Sequence, residues 1–342
     1  MPQVKSSGID TIKDLLILSN AIGDKVHREK SSLYTNINEA YGSGVVTVTK
    51  ISKDITNLMF DVTLDDEFEL CLSGNNSSSI DFIYCLEGSM SHKFKNAKSY
   101  ERINFRQNSI ISRPPKTKSV LKFPANIPLK ISITSYTPDK YIDDICETEL
   151  ERMREKVLYL MSQMYLSHDY RYLGRICFKT ATFVQEALKY SFQTSAEILF
   201  KEAAILNILA SQIDRHDKDT KSDLSEAPIR QSEIDKIIAL ENFISNNLSE
   251  DLSVNRLIKL SGLNASKLQK GFSYLFDDTI CSYIKDKRLD KAATLIRETD
   301  LNVSEIVYSV GFSSRSYFTK IFSKRFGMLP SKCISNPELL MA

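Results

Sequence analysis

An internal repeat constrains this chain more than any other feature of its sequence. Leu268, Lys270, Phe272 and Phe276 are answered, fifty residues later, by Phe318, Lys320, Phe322 and Phe326. Each copy has the parts of two short helices joined by a tight turn. In the first, Ser253 is placed to cap a short helix, Val254, Leu257, Ile258 and Leu260 form its inward side, and Gly262 supplies the turn. Asn264 then caps a second helix whose apolar stripe is Leu268, Phe272, Leu275 and Phe276. In the second copy Asn302 caps a helix over 303–310, Gly311 turns, and Ser313 caps a helix with Phe318, Ile321, Phe322 and Phe326 inward. The two units span about 253–276 and 302–326.

With the stripes facing inward, short, polar or basic groups are left outward. These are Ala265, Ser266, Gln269 and Lys270 in the first unit, and Ser314, Arg315, Ser316, Thr319 and Lys320 in the second. Such groups suit base edges and phosphates. Residues 279–297 between the units read as one longer helix with Tyr283, Ile284, Leu289, Ala292, Ala293 and Ile296 inward. Two helices reading one face of DNA sit about 34 Å apart, and a rigid spacer fixes such a distance directly. Charge agrees with this reading. Residues 251–334 carry fourteen Lys and Arg against eight Asp and Glu, a net +6, which leaves −4 for the rest of a chain whose total is +2. A basic end on a slightly acidic body is what phosphate contact by one part requires.

The pattern Gly311-Phe312-Ser313-Ser314-Arg315-Ser316-Tyr317-Phe318, followed by Phe322-Ser323-Lys324-Arg325-Phe326-Gly327-Met328-Leu329-Pro330, closely resembles the second-unit signature of the AraC/XylS regulators. Residues 283–292 resemble that family's connector helix. The resemblance covers about a quarter of the chain. It implies a DNA-binding transcription regulator with base-reading positions at Ser266, Gln269, Lys270, Arg315, Ser316, Thr319 and Lys320, and Lys324 as a phosphate contact. Promoter DNA and RNA polymerase are the partners it implies. Three positions depart from the family pattern: Ile258 and Val307 replace a small alanine, and Asp277 replaces a glycine after the first unit. A narrower likeness, through residues 267–272 with Thr279 and through 199–206, is to the branch that includes the pyochelin-responsive regulator, whose members sense iron-siderophore complexes.

Upstream of the repeat the chain changes character twice. Eight segments of β type, 45–51, 57–63, 68–72, 82–86, 90–94, 109–112, 120–123 and 129–135, alternate with turn residues and suggest a small barrel or sandwich. The stretch 82–90 resembles the cupin-like sensor barrel of such regulators. Helical spacing takes over at 149–164, 173–190 and 195–213, the last with Ile198, Ala203, Leu206 and Leu209 inward. A polar run at 216–228 reads as a linker, and 231–247 as the helix that opens the DNA-facing part. The expected organisation is therefore α+β multidomain. It comprises an N-terminal extension (1–43), a cupin-like β-barrel that senses an effector (44–138), a helical middle (139–215), a flexible linker (216–230) and an all-α tandem helix-turn-helix domain (231–334). The apolar stripe of the middle suits either a homodimer seam or packing on its own barrel.

A barrel mouth suits a small molecule. Tyr84, His92, Arg102, Arg106 and Arg113 are the candidate effector groups, with arginine suited to an anion. A metal-binding cupin needs His-x-His, a carboxylate and a later histidine, whereas only His92 is present in the block, so no metal and no cofactor are expected. The six cysteines form no Cys-x-x-Cys pair, which fits a reducing cytoplasm and argues against an alkyl-accepting repair enzyme. No apolar run approaches the roughly 20 residues of a membrane span, and the first residues lack the apolar core of a secretion signal. The competing reading is a DNA-binding architectural protein with an empty barrel.

Overall fold

The computed structural model describes residues 3–6, 11–29, 32–73, 79–114, 117–137, 169–190, 194–221 and 230–336. The chain divides into two units, Met1–Asp223 and Leu224–Ala342. The expected helix at 149–164 lies outside the described residues.

The first unit opens with β1 (Gln3–Ser6), α1 (Thr11–Ile22), β2 (His27–Glu29) and β3 (Ser32–Asn36). Then come β4 (Gly42–Lys50), β5 (Ile55–Leu64), β6 (Phe68–Ser73), β7 (Ser79–Glu87), β8 (Met90–Phe94), β9 (Glu101–Ile103), β10 (Gln107–Arg113), β11 (Lys118–Phe123) and β12 (Pro128–Tyr136). It closes with β13 (Tyr170–Ile176), α2 (Phe178–Lys189) and α3 (Ser195–Lys221). One sheet has the order β1-β6-β11-β8-β9, the other β13-β10-β7-β12-β5-β4-β3-β2. Only β1 and β6 run parallel among the described pairings. Among the described pairings neither sheet closes on itself.

Strand alternation explains the layering. Leu58, Phe60 and Val62 of β5, Ile83 and Cys85 of β7, and Leu121 and Phe123 of β11 meet in one core between the sheets. The opposite faces of β5 and β7 send Met59, Tyr84 and Leu86 against Ala181 and Val184 of α2 and Ala204, Ile205 and Ile208 of α3. Seven of the eight strand expectations fall inside observed strands, and the eighth, 45–51, runs one residue past the end of β4.

Several expectations need correction. Residues 1–43 supply α1 and three strands, and Leu15, Leu18 and Ile22 lie in the core, because their i, i+3, i+7 spacing puts all three on one helical side. The helix expected over 173–190 begins as strand β13, which pairs with β10 and whose Tyr172 carbonyl accepts from Ser109 Oγ of β10 at 2.9 Å. On α3 the buried side runs through Ala204, Ile205, Ile208, Leu209 and Gln212, and Ala203 is exposed. That helix also continues to Lys221, into the expected linker, and its residues Arg215 and His216 are buried.

The second unit consists of α4 (Gln231–Asn246), α5 (Val254–Ser261), α6 (Ala265–Phe276), α7 (Ile280–Glu298), α8 (Val303–Ser309), α9 (Arg315–Phe326) and α10 (Pro330–Ser335). Capping chemistry sets most of their starts. Asn264 accepts from the Lys267 N–H, Thr279 from Ser282, and Asn302 forms a full capping box with Glu305. Three details differ from the sequence reading. Ser253 makes no cap bond and donates instead to Asp251 at 3.1 Å. The cap of α9 is Ser314, one residue beyond Ser313. Leu260 is 51% exposed, because Val254, Leu257, Ile258 and Ser261 already fill the inward i, i+3, i+4, i+7 line of α5.

Candidate nucleic-acid interface

Each unit of the repeat is a helix pair whose second member, α6 or α9, is held by an aromatic stripe. Leu268, Phe272 and Leu275 of α6 are fully buried, with Phe272 stacked on Phe276 at 4.8 Å and Phe276 against Tyr283 of α7 at 4.6 Å. In α9, Phe318 and Phe322 are fully buried and form a chain of rings with Phe312 and Phe326 at 4.5–5.4 Å. Stripes of this size fix the rotation of each helix, so the opposite side chains are presented to solvent.

Those side chains include the expected DNA contacts. Ser266 and Lys270 on α6, and Arg315, Ser316, Lys320 and Lys324 on α9, are exposed; Gln269 and Thr319 are half-buried at the edges of the same faces. Two cations of these helices are held back by acids. Lys267 donates to Glu233 of α4 at 2.5 Å, and Arg325 reaches Asp286 at 3.0 Å and Asp290 at 2.5 Å on α7. The Lys267 bond, with a second from the backbone N–H of Arg230, holds the Glu233 carboxyl below its ordinary range. Asp286 and Asp290, four apart on the connector, were the available signal for the Arg325 pairing, and the sequence reading missed it.

The two second helices end alike and differently. Gly327 closes α9 at φ 74°, and Asp277 closes α6 at φ 55°, the same left-handed conformation without the glycine. For a residue with a Cβ that conformation costs about 1 kcal/mol.

The connector carries a further contact that the sequence did not announce. Arg288 of α7 donates from Nε to the Leu248 carbonyl and from Nη2 to the Glu250 carbonyl, both at 2.9 Å, and lies over the Phe312 ring at 5.6 Å. Gly311 sits against this group. A Cβ there would lie 2.3 Å from the Leu248 carbonyl oxygen and 2.7 Å from Arg288 Nη2, and φ is +87°. Close approach and backbone conformation both demand glycine.

In the first unit the five candidate effector groups occupy three different places. His92 and Arg113 are buried. Arg113 donates from Nε and Nη2 to the two Asp81 oxygens at 2.7 and 3.1 Å, while Ser135 donates to the same carboxylate at 2.6 Å. Burial, with the Arg171 and Arg113 charges beside it, pushes the His92 imidazole down to about 3. Tyr84 lies on the helical side, where its hydroxyl donates to the Cys177 carbonyl at 2.5 Å, and burial pushes its pKa up. Arg106 covers the Phe178 ring at 4.1 Å, and Arg102 is an exposed side chain that donates to Ser89. No helix among the described residues is long and apolar enough to cross a membrane.

Two basic, solvent-facing helices on aromatic stripes, each entered through a short helix and a turn, define a DNA-binding domain of the tandem helix-turn-helix class. A helix-turn-helix domain family matches residues 257–335. The chain is 32% identical over 97 residues to the probable transcription factor PqrA of Proteus vulgaris, a match covering 28% of this chain and 78% of that protein. It is 29% identical over 101 residues to the HTH-type transcriptional activator RhaR of Mannheimia succiniciproducens, covering 30% of this chain and 37% of the other. With the Xylose operon regulatory protein of Escherichia coli it shares 28% identity over 28% of this chain and 24% of that protein. The chain thus spans well under half the length of the last two. Among solved structures, the C-terminal domain of the response regulator yesN from Fusobacterium nucleatum is 26% identical over 28% of this chain and 93% of that one, with a TM-score of 0.27. The chain belongs to the AraC/XylS family of transcription regulators.

Proposed function

We propose that this protein is a sequence-specific transcription regulator that lays α6 and α9 into adjacent major grooves of promoter DNA and acts on RNA polymerase there. The observation that carries this reading is the pair of solvent-facing surfaces, Ser266, Gln269 and Lys270 on one helix and Arg315, Ser316, Thr319, Lys320 and Lys324 on the other. Beside the short polar groups stand cations that suit phosphate, Lys270 on the first and Arg315, Lys320 and Lys324 on the second. The full chain is expected to bind the DNA upstream of its own gene, with log affinity falling by about 0.9 for each phosphate contact per decade of salt. Fluorescence anisotropy at two or more salt concentrations measures this, and absence of binding at low salt overturns the reading.

The regulator is further proposed to respond to a small molecule in its sheet-rich unit. His92 Nε2, Arg113 Nη1 and Ser119 Oγ are buried without a hydrogen-bond partner among protein groups, and such groups favour a polar occupant. Siderophore complexes are the first class to screen, on the strength of the narrower family likeness. Leu199 and Phe200 on α3, 67% and 49% exposed, support a homodimer seam along the helical middle. The cytoplasm is the proposed location.

One set of observations favours the alternative, an architectural DNA-binding protein with no effector. Arg113 is neutralised by Asp81, Tyr84 and Arg106 face α2, and Arg102 faces solvent, so the five groups do not share one cavity. A thermal-shift screen of siderophores, sugars and fatty acids separates the two: stabilisation by any of them supports sensing, and none supports the architectural role.

A further inference from the structure

We infer that Arg288 is a positioning residue that locks the two helix-turn-helix units in one mutual orientation, and so sets the separation of DNA boxes the protein accepts. The inference rests on the DNA-binding reading above and concerns a residue of the connector, outside both α6 and α9.

A connector helix alone fixes the distance between two units along its axis. It leaves their rotation about that axis to whatever else they touch. Here Leu289, Ala292 and Ile296 of the connector pack with Ile306, Val307, Phe318 and Phe322 and seat unit two, and Arg325 of α9 adds its bonds to Asp286 and Asp290. This assembly is tied to the segment that enters unit one by one guanidinium. Its two donors close on the Leu248 and Glu250 carbonyls, which belong to the segment leading into α5, the first helix of unit one. Its face covers Phe312, whose ring packs on Phe318 at the start of α9. The same group abuts Gly311, and Gly311 in turn has room for no Cβ against Leu248. Unit one, the connector and unit two therefore meet at Arg288.

The chemistry calls for arginine. The planar fork satisfies two carbonyls at once while its face stays free to lie over a ring. Lysine retains the charge but presents a single point donor. Burial lowers the Arg288 pKa, with the Asp251 carboxylate opposing that shift. The cation is partly desolvated, and the two carbonyls offset that cost. A residue that only anchored a surface loop would have no need of the contact with Phe312.

The test uses the full chain with Cys71, Cys146 and Cys281 replaced by serine, so that the labels are confined to the introduced cysteines; Cys281 is exposed and Cys71 partly so. Spin labels at Lys270→Cys and Lys320→Cys report the distance between α6 and α9 without DNA. The wild-type residue at 288 should give one narrow distance distribution, and Arg288→Met a distribution at least about twofold broader, with the circular dichroism spectrum unchanged. Arg288→Lys should resemble Arg288→Met. In parallel, unlabelled protein with native Cys71, Cys146, Cys281, Lys270 and Lys320 is titrated with the footprinted promoter fragment and with a version carrying about 5 bp, half a turn, between the two protected boxes. The insertion should weaken the wild type about tenfold or more and Arg288→Met less than about threefold. An unchanged distance distribution in Arg288→Met, full rescue by lysine, or equal insertion penalties overturn the inference. Absence of any wild-type footprint instead overturns the DNA-binding reading, and the label distances still report whether Arg288 orients the units.

Discussion

Breaking the buried pair Arg113–Asp81 is expected to destabilise the sheet-rich unit strongly, and breaking both members together is expected to cost much less. Arg113 and Asp81 are 0% and 1% exposed, bonded in a fork at 2.7 and 3.1 Å, and Ser135 completes the carboxylate. Asp81→Asn leaves a guanidinium in the core with no counter-charge, and Arg113→Met leaves a carboxylate with one hydroxyl. Removing one partner of such a pair costs about 3–5 kcal/mol, because the orphaned charge keeps its desolvation penalty. For a unit of this size about 1 kcal/mol moves the midpoint by about 2–4 °C, so each single variant should melt about 6–20 °C below the wild type. In the double variant, Asp81→Asn with Arg113→Met, no unpaired charge is left, and at least half of the loss should return. Thermal unfolding of the full chain, followed by the circular dichroism of its strands, reads these shifts. Single variants within about 2 °C of the wild type, or a double variant worse than their sum, would refute the assignment of Arg113 to a structural pair.

Three other outcomes are expected. Arg315→Ala should relax base preference at one operator position at a cost of about 1–3 kcal/mol, whereas Lys324→Ala should weaken all sequences alike and lower the salt slope by about one, as read by anisotropy against a panel of operator variants. For His92, the folded imidazole titrates near 3 and the unfolded one near its ordinary 6.5. Between these values the unfolded chain binds the extra proton, so stability falls as pH drops, by about 1.4 kcal/mol per unit at full slope. His92→Phe should flatten the dependence of urea-unfolding midpoints between pH 6.5 and 5.5, and an unchanged slope would show that His92 is solvated. Asn302→Ala removes the capping box at α8 and should cost about 0.5–2 kcal/mol, whereas Ser253→Ala, which makes no cap bond, should cost distinctly less in the same denaturant titration.

The repeat was legible because its determinants are local. Stripe, cap and turn all lie within about twelve residues of one another, so Phe272, Phe322, Asn264 and Gly262 announce their roles in the linear sequence. Where local signals competed, the reading slipped by a residue or a face. Ser313 and Ser314 are equally good caps on paper, and Leu260 looks like core until Ser261 is seen to occupy the inward line. The long-range pairings were not legible. Nothing in Tyr170–Ile176 distinguishes a strand from the first turns of a helix until β10 lies beside it. Arg288 and Arg325 read as ordinary solvated cations until the carbonyls and carboxylates they meet, some forty residues away in sequence for Arg288, are placed. Arg113 failed in the opposite sense: an arginine expected to suit an effector is matched inside the core by an acid thirty-two residues earlier.

The first strand has a consequence for how the chain is made. Residues 3–6 lie parallel to 69–72, and β10 waits for β13 at 170–176. Parallel pairing of the opening residues, and an outer strand contributed so late, give the sheet-rich unit a high contact order. On a ribosome the free side of β10 stays open until residue 176 has emerged, and open edges invite association with other nascent chains. The helix-turn-helix units, built from near neighbours in sequence, face no such delay. Synthesis rate and chaperone supply should therefore govern the yield of the first unit far more than that of the second.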